Sequence, residues 1–191
     1  MRLAIAIALV GTMTGEQIER AQQVARSRDS ERAEFHRKYV FVPPGDIVTQ
    51  IELVTEFRRL VMITEQHLFA GDQMFSRGVR QAEEALAPTR GVLTLRAHLQ
   101  FHPLNAYVTV PEFQLALGRD GGSEALVALD TKVTGEFARG PRNRGRTTTI
   151  TGATLQADVP ASRAPQATGS VGVVLEAMEI ARVSVDFARI D

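Results

Sequence analysis

Four histidines and twenty-two carboxylates are the groups with which this chain could do acid–base or metal chemistry, because it contains no cysteine. His98 and His102 have the H-x3-H spacing that, on a helix, turns both imidazoles to one face and suits a divalent metal. Their neighbours argue against a helix. Leu93, Leu95, Ala97, Leu99 and Phe101 alternate with Thr94, Arg96, His98, Gln100 and His102, which is the period of a half-buried strand. Four residues of strand separate the two rings by about 13 Å, too far to share an ion unless Pro103 ends a sharp bend. His36 and His67 lie in other segments, and none of the four stands in an HExxH motif. The histidines are therefore read as surface residues, and neither a metal nor a cofactor is expected.

Other catalytic signatures are missing. No serine occupies the G-x-S-x-G nucleophile elbow. Glu83 and Glu84 are adjacent and point in different directions on a helix, which makes them a solvated pair. "GTMTGEQ" (residues 11–17) places Gly11 and Gly15 like a phosphate loop, but Glu16 and Gln17 stand where Lys and Ser/Thr are required. A carboxylate there repels phosphate. The dinucleotide pattern G-x-G-x-x-G is also unmet.

One cluster remains as a binding candidate. "FARGPRNRGR" carries Arg139, Arg142, Arg144 and Arg146 with no acid between them. Arginine forks suit an anionic surface such as a lipid head group, a polysaccharide or an acidic protein face. The plain alternative is a solvated loop whose charge keeps a sheet edge from aggregating. Lys+Arg and Asp+Glu number 22 each, so the chain has no net charge to spend on phosphates, and a nucleic-acid partner is not expected.

The elements that must position these residues fall into three parts. Residues 1–15 open with Arg2 and an apolar run, Leu3 to Val10, of the length found in the core of a secretory signal. No A-x-A cleavage site follows at the right distance, and the same run also fits a buried strand. The export reading is favoured because no further strand–helix units follow. The run is too short to span a bilayer by itself, though it could associate with a membrane. Residues 16–45 are a charged helix or tether, with Thr14 and Gln17 spaced as a capping box. Their apolar residues, Ile18, Ala21, Val24 and Ala25, are few and small, which predicts a solvated face.

Residues 46–191 form the third part. Residues 47–55 fit helix or strand equally. A helix is expected from about Phe57 to Ala70, closed by Gly71. A second is expected from Asp72 to Leu86, capped by Asp72, weakened by Gly78 and stopped by Pro88. About seven short strands follow in the last hundred residues, with "AYVTVP" and "FQLALG" among them, a turn at "RDGG", and a closing hairpin that turns near Glu176 to Glu179. The fold class is therefore α+β: N-terminal helices followed by an antiparallel β-sandwich-like domain. The expected function is a non-catalytic binding or structural protein with a protein partner, secreted or periplasmic, an accessory subunit of a cell-envelope or extracellular assembly. The alternative is a soluble, cytoplasmic enzyme whose site gathers dispersed histidines and carboxylates.

Overall fold

A computed structural model describes residues 13–105, 107–119, 125–138 and 149–190. The helices are α1 (Gly15–Ala25), α2 (Asp29–Arg37), α3 (Glu56–Phe69) and α4 (Val79–Leu86). The strands are β1 (Val40–Phe41), β2 (Val48–Val54), β3 (Val92–Gln100), β4 (Phe113–Gly118), β5 (Val127–Ala128), β6 (Lys132–Phe137), β7 (Ile150–Pro160), β8 (Thr168–Leu175) and β9 (Met178–Asp186). They form two antiparallel sheets, one in the order β1-β2-β3-β7-β6 and the other β5-β4-β8-β9. The α+β sandwich-like architecture expected from periodicity is the observed one.

The alternation in β3 sets the geometry of the first sheet. Leu93, Leu95, Ala97 and Leu99 all turn inward and are buried. Pairing with β2 and β7 continues that face through Ile51, Leu53, Ala153, Leu155 and Ala157. The second sheet answers with Phe113, Leu115, Leu117, Val171, Val173 and Val185. Each such side chain contributes about 1.5 to 3 kcal/mol on full burial, alanine less. The hairpin of β8 and β9 turns on Glu176 and Ala177, both at positive φ (49° and 68°). Two left-handed residues give the twist a two-residue hairpin requires.

Residues 47–55 resolve to strand. β2 is held by a paired β3, and its β-branched residues suit that surface better than a helix. α3 begins at Thr55, whose hydroxyl accepts from the Arg58 amide, and ends before Gly71 at φ 84°. The single helix expected over 72–86 is instead a 3-10 turn (Phe75–Arg77) followed by α4, with Gly78 extended between them. Asp72 caps the turn rather than a long helix, accepting from the Met74 and Phe75 amides. The described part of "AYVTVP", residues 107–111, is irregular rather than a strand. Pro103 and Pro111 bracket the segment, and proline supplies no amide to a ladder. The apolar run Leu3 to Val10 lies outside the described residues, and of "RDGG" only Arg119 lies within them.

Residues 16–45 are more than a solvated tether. α1 has the expected capping box between Thr14 and Gln17. Its narrow face, Ile18, Ala21 and Ala25, is buried with Leu60, Val61, Phe75, Ala82 and Leu86 in a second apolar cluster. The small residues allow close approach to α3. Gln22 supplies the specificity. Its side-chain amide, buried within the same face, donates to the carbonyls of Phe75 (3.1 Å) and Gly78 (3.2 Å). Those carbonyls border the break between the 3-10 turn and α4. Each of these carbonyls also accepts a backbone amide, Phe75 from Gly78 and Gly78 from Ala82, so the Gln22 side chain fills a second acceptor position on both.

Gln22→Leu would keep the volume and remove two buried hydrogen bonds, leaving each carbonyl only its backbone partner. We expect a loss of about 1 to 3 kcal/mol in urea unfolding, with α4 losing amide-exchange protection before the sheets do.

Candidate functional site

The outer face of the first sheet collects the polar halves of the alternating strands. Register places Gln50, His98, Thr154 and Thr134 in one cross-strand row. Glu52, Arg96, Gln156 and Lys132 form the next, and Thr94 and Asp158 lie in the row beyond. These side chains bond along and across the strands. Arg96 donates to Gln156 (3.3 Å), Gln50 to Glu52 (2.6 Å), and the Thr154 hydroxyl to Glu136 (3.1 Å). His98 Nε2 lies 3.7 Å from Glu52 Oε1.

At one end α3 closes over this face and drives two arginines into it. Arg58 is buried, with only 4% of its surface exposed. It donates to the Leu53 carbonyl (2.7 Å), lies 3.5 Å from Glu52, and sits over the Tyr39 ring at 5.2 Å. Burial pulls its pKa below the ordinary guanidinium value, and Glu52 opposes that shift. Arg59 donates to the carbonyls of Thr89 and Val92 and to the Thr94 hydroxyl, which passes the bond on to Asp158 (2.6 Å). Its pKa is lowered by burial as well, with Asp158 opposing.

The histidines separate as the strand spacing implies. His98 stands on β3, while His102 lies beyond its end, where Nδ1 accepts from the Leu104 amide. His36 Nε2 faces Glu65 at 3.0 Å. His67 Nδ1 contacts Asp72 at 2.9 Å and its ring stacks on Phe75. That bond holds the Asp72 carboxyl below its usual range. Among the described residues no three His, Asp or Glu converge in a way that would hold a metal ion. His98 with Glu52 is the one place where the structure brings a histidine of the expected pair to a carboxylate. It lies on an open sheet face where Gln50, Arg96, Thr154 and Gln156 are already bonded to neighbouring groups. Arg139, Arg142, Arg144 and Arg146 lie outside the described residues.

A different surface was not singled out from sequence. β5 and β6 follow one another in the chain and are the terminal strands of their respective sheets. Only Leu129 to Thr131 separate them, so the edges that have no partner strand among the described residues open on one side of the sandwich. That side displays apolar groups. Val127 is 67% exposed, Phe137 55% and Val133 38%. Val133 and Phe137 belong to the inward-facing set of β6, yet solvent reaches them. The available signal was the alternation Val133, Gly135, Phe137 within "KVTGEF". It could not reveal that β6 ends a sheet, because strand order is a long-range property.

No family model, curated protein or solved structure matches the chain. The functional reading therefore rests on its chemistry and geometry.

Arg58→Met would leave the Leu53 carbonyl and Glu52 without their buried cation. We expect a loss of about 3 to 5 kcal/mol in denaturant unfolding. Arg58→Met with Glu52→Gln should recover part of that loss, because no uncompensated charge then remains.

Proposed function

We propose that the protein is a non-catalytic binding or structural protein that engages a protein partner through the open edge of its sandwich. The observation that carries this reading is the group of exposed apolar side chains, Val127, Val133 and Phe137, on two strands that end their sheets among the described residues. Apolar clusters next to unpaired edges favour association with another chain. The polar face beside it suits a rim, since it carries charges of both signs. An accessory subunit of a cell-envelope or extracellular assembly is the role this combination fits, with export supported by the Arg2 and Leu3 to Val10 pattern.

Two measurements test the reading. A photo-crosslinking side chain placed at Val127 or Phe137 in the native host should give a covalent protein adduct. The same group at Arg80, an exposed position on α4, should not. Equal labelling at all three positions, or none at the edge, would count against an edge partner. Intact-mass analysis of the fractionated native protein addresses export. A chain in the cytoplasmic fraction with its N-terminal run uncleaved would remove that part.

A further inference from the structure

We propose that the partner at this edge is a second copy of the chain, joined by antiparallel pairing of β6 with β6 about a two-fold axis at Thr134. The proposal rests on the edge-binding reading and names its occupant. β6 runs Lys132, Val133, Thr134, Gly135, Glu136, Phe137, and only β7 pairs with it among the described residues. Centring a two-fold on Thr134 sets Lys132 of one copy opposite Glu136 of the other, twice, and Val133 opposite Gly135. Opposite charges in directly facing positions stabilise an antiparallel pair, and like charges there destabilise it. Shifting the centre by one residue, to Val133 or Gly135, loses that charge match. The register irregularity between Glu136 and Phe137 ends the regular edge where the matched segment ends.

The side-chain groups needed are in place. Lys132 forms no ion pair among the described residues, and Glu136 holds a hydroxyl contact to Thr154 and no cation. On the other face the Phe137 ring lies over Gly135, within 3.6 Å of where a β-carbon would stand. That ring and the facing Val133 of the second copy would cover one another, removing both from water. An isologous contact of this kind closes on itself, because each copy contributes the same strand. The other free edges fit less well. β1 and β5 are two residues long. β9 spends its charges internally, with Arg182 bound to Glu179 at 2.6 Å.

Sedimentation velocity over a dilution series of the full chain tests the pairing. The wild type should show a concentration-dependent monomer–dimer equilibrium. Lys132→Glu sets Glu against Glu at both contacts, and Glu136→Lys sets Lys against Lys. Each should raise the dimer Kd about tenfold or more. The double exchange, Lys132→Glu with Glu136→Lys, should restore it. Circular dichroism would show that these exposed changes leave the fold intact. A wild type that stays monomeric up to its solubility limit overturns the proposal, as does a dimer that neither reversal weakens or the double exchange fails to rescue. The failures are distinguishable: edge crosslinks to a different protein would refute self-pairing while upholding the binding reading.

Discussion

The buried guanidinium of Arg58 is the contact on which the two halves of the molecule depend. One apolar cluster fills the space between the sheets, and a second joins α1, α3 and α4. Between them lies a polar seam in which Arg58 reaches back from the first turn of α3 to the Leu53 carbonyl and Glu52. Removing a cation from water is costly, and an apolar pair of the same shape could be equally stable. What the ion pair adds is position. Arg58 follows Thr55 by three residues, and Thr55 follows β2 directly, so its bonds fix the angle at which the helix leaves the strand. α1 then docks on α3, and Gln22 locks α1 to the carbonyls beside α4. The helical layer is oriented by a few directional bonds, and apolar burial supplies the bulk of the energy.

This division explains what could be read along the chain. β3 was legible because its alternation is long and uninterrupted, and the Thr14 and Gln17 cap because its partners are three residues apart. The closing hairpin was legible for the same reason, its two strands joined by Glu176 and Ala177 alone. β2 was not, since "IVTQIELVT" satisfies two periodicities and only its pairing with β3 decides between them. The docking of α1 was hidden because its apolar face is small and Gln22 finds its partners 53 and 56 residues away. Gly78 was recognised as a weak point in a helix. That it breaks the helix follows from the buried carbonyl contacts around it, which are tertiary.

The candidate site divides along the same line. His98 and its outward neighbours were assigned correctly to one strand face. Their bonding to Glu52, Thr154 and Gln156 depends on strand order and register, which no local pattern contains. The open edge was illegible for that reason too. "KVTGEF" reads as a strand like its neighbours until the topology places it last in its sheet.

Sandwiches must dispose of four edges, and here the described edges are treated unequally. Two are shortened to a pair of residues and one carries an internal ion pair. β6 has six residues, opposite charges four positions apart, and an aromatic ring folded over its own glycine. An edge built to resist pairing carries an inward-pointing charge, a proline, or a very short strand. A Lys and a Glu placed symmetrically about a central threonine do the reverse for one partner only. A copy of the strand in this register matches both charges, and a register shifted by one residue loses the match. The same spacing that leaves the edge attractive therefore restricts what can occupy it, and that restriction separates a specific contact from a merely exposed edge.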